Sequence, residues 1–339
     1  MTLSSEGVIG AQSPASARQG WGRFTELAGG AVGSIGITLV VVVIVGLTWV
    51  GGSFFSKGNM TIIGQAAAVP LLVGTFSGFA LLAGVVDLSI GSNAGFCAVV
   101  FAYLAAHGWG GWQAAGVVLI VSLAVGTVNA VALVGFGANP IAATLGMLTV
   151  LRGLAYVVCY GSAGGIPKLI PGLYSFTNRE AGPLPLIFVL VLLFVVGATV
   201  VAMRSRVGRH VRAVGGDEVA ALRAGISVTR VRSAVLLLSA FGAGLGGILW
   251  EGQLGGATNL LGTGLEFQVY AALMIGGYSI LRGGVGNPAG GAMGLLVVAG
   301  VTDIIDVKAV NTYYTNVIIG ILLVLVVFLD RLRGGDSFE

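Results

Sequence analysis

Charge is what this sequence has least of. Of its 339 residues 9% are Asp, Glu, Lys or Arg, where a water-soluble chain carries about a quarter. Lysine occurs only as Lys57, Lys168 and Lys308, none of them in a G-x-x-x-x-G-K-[ST] pattern, so the chain cannot hold ATP by a P-loop of its own. His107 and His210 are isolated and make no metal-ligand spacing. No G-x-S-x-G elbow occurs. Cys97 and Cys159 are the only cysteines; both lie in apolar stretches and read as small buried hydrophobes rather than a disulfide or metal pair. These scarcities argue against an enzyme, and no metal, cofactor or nucleic-acid partner is expected.

Apolar residues fill the space: 56% of the chain is hydrophobic and the mean hydropathy is +0.99. No single water-soluble core buries that much apolar surface, so lipid is the solvent. The 58 glycines follow no G-X-Y period and read as close helix packing and broken helices. A G-x-G-x-x-G match at Gly242, Gly244 and Gly247 sits inside the apolar run LSAFGAGLGGILW. A dinucleotide site needs that pattern after a strand, so helix-on-helix packing explains it better. Residues 1–30 are polar and small, with Arg18 and Arg23 ahead of an apolar run from Ala31 to about Val50. That run exceeds the ~7–15 residues of a cleaved signal core and is a membrane anchor that stays.

Runs long enough to span a bilayer, roughly 20 mostly apolar residues, lie near 31–50, 61–85, 89–106, 112–134, 139–159, 184–203, 233–251, 266–279, 287–304 and 315–329. Glycine and single charges interrupt 233–304, so boundaries there are loose. With the N-terminus cytoplasmic, Arg18, Arg23, Arg204, Arg206, Arg209, Arg212, Arg223, Arg230, Arg232, Arg282, Arg331 and Arg333 fall inside. Lys57, Lys168, Arg179 and Lys308 fall outside, and Arg152 lies within a span. By the positive-inside rule this twelve-to-four asymmetry sets the orientation. The expected fold is an all-α membrane protein of about ten transmembrane helices with broken or re-entrant segments, N-in and C-in. It comprises a cytoplasmic tail over 1–30, one membrane domain over 31–330 and a cytoplasmic tail over 331–339.

Two sets of residues stand out. Inside the membrane region each charge costs about 2.5–3.5 kcal/mol on insertion scales, which singles out Asp87, Arg152, Glu251 and Glu266. Such residues pair, cap or line a pathway; Asp87 is equally placed to cap a helix starting at Leu88. Asn129, Asn139, Thr144 and Gln65 are neutral companions. The pathway candidates are Asp87, Asn139, Thr144, Arg152 and Glu266. The second set is cytoplasmic: seven arginines between Arg204 and Arg232 flank GGDEVAALRAGI. Gly215 and Gly216 end one element, Asp217 caps a short helix reaching about Arg223, and Gly225 stops it. A short, capped helix between two spans suits mechanical contact with a cytoplasmic partner, and Arg209, Asp217, Glu218, Arg223 and Gly225 are its candidate residues.

The stretch Asp87-Leu88-Ser89-Ile90-Gly91-Ser92 resembles the D-L-S-x-G-S signature of ribose-type ABC permeases. Thr144–Gly153 is similar to their T-L-G-M-x-x-x-x-R-G. Gly208-Arg209, the GGDEVAALRAGI segment, Gly262–Glu266 and Gly276–Ser279 follow in the family's order, so the resemblance covers about residues 60 to 330. It implies a permease paired with a second copy or a close relative, two cytoplasmic ATPase subunits, and a periplasmic or lipid-anchored sugar-binding protein. The helix over Asp217–Arg223 would be the coupling helix within segment 204–232. The chain departs from the pattern at GGYSILRGGVG, which is one residue longer and carries Arg282, and at Asp303 and Asp306. The expected function is passage of a sugar or polyol across the bacterial cytoplasmic membrane. Relatives for branched-chain amino acids or nucleosides are the neighbouring alternative, and usually lack the D-L-S-I-G-S stretch. An ion-coupled transporter working alone is the other alternative.

Overall fold

The computed structural model describes residues 31–159, 165–309, 311 and 313–334; the tail expected over 1–30 and the residues after Gly334 lie outside them. Helices dominate. They are α1 (Ala31–Trp49), α2 (Lys57–Leu82), α3 (Ile90–Ala106), α4 (Gly111–Ala130), α5 (Pro140–Val158), α6 (Pro171–Thr177), α7 (Leu186–Arg204), α8 (Arg206–Gly216), α9 (Glu218–Arg223), α10 (Val228–Leu254), α11 (Leu265–Ile275), α12 (Pro288–Val307) and α13 (Tyr313–Gly334). Each apolar stretch read from the sequence falls on a helix. Among the described residues, six are long and apolar enough to cross a membrane: α2, α4 with the π turn Val131–Gly135, α5, α7, α10 and α12; α3 and α11 are apolar but shorter.

Local chemistry fixes the ends. Ser56, Asn139, Ser205, Asp217, Ser227 and Asn287 are N-caps whose side chains accept from backbone N–H groups of the first turn, and Pro140 and Pro288 open α5 and α12 where no N–H is needed. Gly255 closes α10 with φ of 67°. Pro70 inside α2 removes one helical hydrogen bond. Two short antiparallel pairings complete the structure: β1 (Ile166–Pro167) with β4 (Gly256–Ala257), and β2 (Glu180–Ala181) with β3 (Leu184–Pro185).

The centre is a crossing of α10 over α2, α3 and α4, made by small residues. A methyl on Gly244 would lie 2.8 Å from Ser122 Cβ, on Gly246 2.7 Å from Val73 Cγ2, and on Gly247 2.8 Å from the Ala98 nitrogen. The G-x-G-x-x-G match is therefore a packing surface, as small-residue helix contacts in lipid require. The short connections alternate the helix ends, so the α1–α2 and α3–α4 turns share one end of the bundle and α8 and α9 share the other with the α2–α3 turn. Trp49, Trp112 and Tyr314 are exposed at the first end, where aromatic rings sit at a membrane–water boundary.

Candidate functional site

Asp87 lies in the turn between α2 and α3 and is almost fully buried. A buried carboxylate needs donors; three segments supply them, and a fourth grips the Asp87 backbone. The Ser89 backbone N–H and hydroxyl donate to Oδ1 at 3.0 and 2.6 Å. Asn129 of α4 donates to Oδ1 at 3.4 Å and to the Ser89 hydroxyl at 2.9 Å. Ser239 of α10 donates to Oδ2 at 3.0 Å. The Tyr270 hydroxyl of α11 donates to the Asp87 carbonyl at 3.0 Å and accepts from its N–H at 2.8 Å. Both carboxylate oxygens are thus taken up by the protein, and Asp87 clamps α3, α4, α10 and α11 together. The helix begins at Ile90 rather than Leu88, and Asp87 bonds the nitrogen of its N-cap Ser89.

Nearer the other end, the glycine-rich segment after α10 folds back along α3. Arg152 of α5 donates from Nη1 to the Leu261 carbonyl at 2.7 Å and interacts electrostatically with Glu266, the second residue of α11. Glycines of α3 make the room. A methyl on Gly91 would strike Glu266 Oε2 and come within 2.6 Å of the Gly262 carbonyl, and one on Gly95 would strike the Leu261 carbonyl. The glycine of D-L-S-I-G-S thereby has a physical reason. Arg152 Nη2, Glu266 Oε2, Asn259 Oδ1 and both oxygens of Glu251 are buried with no hydrogen-bond partner among the described residues. These atoms lie on α5, α10, α11 and the segment that joins the last two.

The remaining candidates occupy separate places. Asn139 caps α5, accepting from Ile141 and Ala142 nitrogens at 3.0 and 3.2 Å. Thr144 is fully buried and donates back to the Pro140 carbonyl at 2.7 Å. Gln65 of α2 donates to Asn178 at 2.9 Å, and Gln253 donates to the Gln65 carbonyl at 3.2 Å. Asp303 accepts from Asn59 at 2.8 Å. Sequence reasoning singled out Asp87 and Asn129 but missed Ser239 and Tyr270; each is a lone polar group in an apolar helix, a pattern that intramembrane hydrogen bonding leaves in a sequence.

At the opposite end the arginine-rich segment forms two helices. Ser205 caps α8, and Arg209 is exposed, reaching back to the Arg204 carbonyl at 3.1 Å. Asp217 caps α9 by accepting from Ala220 at 2.9 Å, and Gly225 follows it with φ of 77°. Within α9 Ala221 is buried, while Val219, Leu222 and Arg223 are exposed. Glu218 pairs with Arg232 of α10 at 2.9 Å.

Comparison with known proteins agrees on the class. A family model described as "Branched-chain amino acid transport system / permease component" matches residues 67–327. The D-allose transport system permease protein of Escherichia coli is 30% identical over 286 residues, covering 82% of this chain and 85% of that protein. The L-arabinose ABC transporter permease protein of Azospirillum brasilense is 32% identical over 280 residues, covering 81% and 78%. The ribose import permease protein of Escherichia coli is 27% identical over 299 residues, covering 87% and 92%. No solved structure matches. Matched over most of its length, the chain belongs to this family of ABC-importer permeases and is a multi-pass protein of the bacterial inner membrane.

Proposed function

We propose that the chain forms the translocation pathway of an ABC importer for a sugar or polyol, by alternating access driven by separate cytoplasmic ATPase subunits. The observation that carries this reading is α9: six residues long, capped by Asp217, stopped at Gly225, and exposing Val219, Leu222 and Arg223 over a buried Ala221. An apolar knob rimmed by arginine on a rigid base suits the groove of a cytoplasmic partner. In this reading the chain spans the membrane about ten times, both termini are cytoplasmic, and a second permease subunit completes the passage. A periplasmic or lipid-anchored binding protein delivers the substrate. Arg152, Glu266, Asn139 and Thr144 belong to the passage, with Asp87 bracing its α8–α9 end. The polar atoms around Asn259 and Glu266 that have no partner among the described residues suit hydroxyl groups, since a buried polar atom without a partner costs about 1–3 kcal/mol.

Uptake of 14C-labelled D-ribose, D-allose and L-arabinose by cells expressing the system tests the proposal. Uptake of at least one should stop on ATP depletion and persist when a protonophore collapses the proton gradient; the reverse pattern would establish an ion-coupled transporter. Charge reversal at Arg209 or Arg223, or Gly225→Pro, should lower uptake roughly tenfold or more, a coupling loss of about 1.4 kcal/mol, while leaving the protein inserted. The family model's description favours a second reading, branched-chain amino acids, and uptake of L-leucine with none of the sugars would replace the first.

A further inference from the structure

Between α9 and the Asp87 clamp the protein is joined backbone to backbone, and we infer that Gly215 is a positioning residue through which the docking helix drives that clamp. The inference rests on the ABC-permease reading above. Gly215 lies at the base of α9, immediately before Gly216 and the cap Asp217. It is wedged between two other segments. A methyl here would fall on the Leu82 carbonyl and come within 2.6 Å of the Gly284 nitrogen, two groups hydrogen-bonded to each other at 2.8 Å. From the other side a methyl on Gly283 would strike the Gly215 carbonyl. Arg212 fastens the same junction by donating to the Gly286 carbonyl at 2.9 Å. The α11–α12 turn GGYSILRGGVG thereby gains a structural role, with its second glycine pair seated against Gly215.

Three routes lead from this junction and α9 to Asp87. Leu82 is the last residue of α2, and the chain runs from it directly into the Asp87 turn. Gly284 belongs to the turn after α11, which carries Tyr270, bonded to both backbone groups of Asp87. The Glu218–Arg232 pair joins α9 to α10, and about two turns further along α10 Ser239 holds Asp87 Oδ2. Three connections from the α8–α9 segment to one residue, Asp87, leave little slack. Packed backbone has discrete arrangements rather than a continuous range, so displacement of α9 repositions the clamp as a unit and, with it, the start of α3, the end of α4 and the middles of α10 and α11.

The neighbouring glycine supplies the control, because a methyl on Gly216 meets nothing within 4 Å among the described residues. The experiment uses the permease with its ATPase and binding protein in proteoliposomes, measuring ATP hydrolysis and uptake of 14C-labelled D-ribose, D-allose and L-arabinose. Gly215→Ala should assemble with the ATPase and hydrolyse ATP, yet transport at least tenfold less sugar per ATP; Gly216→Ala should keep the wild-type ratio. Ser239→Ala, a small change at the far end of one route, should lower the ratio severalfold with assembly intact, so the inference stays testable should Gly215→Ala fail to assemble. Ratios within twofold of wild type in every assembling variant at positions 215 and 239 would overturn the junction alone. A wild-type complex without ATP-driven uptake would overturn both this and the permease reading.

Discussion

Helices α2 and α5 are both apolar enough to span a membrane, yet 89% of the spanning window of α2 is buried inside the protein and only 17% of that of α5. Hydropathy registers that each leaves water; it does not register what each enters. Leu71 and Val73 of α2 are fully enclosed by protein, whereas Val150 and Val157 of α5 are exposed at 54% and 67%. Arg152 nevertheless turns inward from that exposed helix to reach Leu261. The pillar is built for packing, the outer helix for carrying a few polar groups on one side and facing away from the protein on the other.

Substitutions can break or sharpen this contrast, from the largest effect to the smallest. Leu71→Ala removes a side chain wholly surrounded by protein, so thermal unfolding in detergent should show a loss of about 2–5 kcal/mol; a negligible shift would show that α2 is not the pillar. Arg152→Leu strips the Leu261 carbonyl of its donor and removes the positive charge that acts on Glu266. It should cost about 1–3 kcal/mol and abolish uptake, and normal uptake in cells would make Arg152 dispensable. Asn139→Ala deletes the cap of α5 for about 1 kcal/mol, read by the same unfolding assay. Val157→Ala should fall within about 0.5 kcal/mol. A shift there as large as that of Leu71→Ala would show that this face is covered by protein, the expected second subunit, rather than lipid.

Helix positions were legible because each carries its own apolar run, and the cap chemistry of α9 was legible because Asp217 and Gly225 act within a few residues of themselves. The breaks were harder. The stretch near 233–251 extends to Val228–Leu254, since Ser227 caps it well ahead of the apolar run. The helix α8 went unread because its arginines mask any hydropathy signal, and α6 is too short to give one. Of the site, Asp87 announced itself as a charge in an apolar context, but its role depended on Asn129, Ser239 and Tyr270, which only the fold brings to it. Contacts made by absence, such as Gly91 facing Glu266 or Gly215 facing Leu82, leave no local pattern at all.

The Asp87 clamp also bears on how the chain is made. Ser239 follows Asp87 by 152 residues, so at roughly 5–20 residues per second about 8–30 s separate the synthesis of the carboxylate from that of its α10 partner. Tyr270 comes later still, 183 residues on. Until then α2 and α3 cannot settle as a finished hairpin in lipid, because the turn between them holds a carboxylate met only by Ser89 and Asn129. Its burial therefore closes when α10 and α11 have entered the membrane, and a chain interrupted before them keeps a carboxylate whose Oδ2 lacks its Ser239 donor.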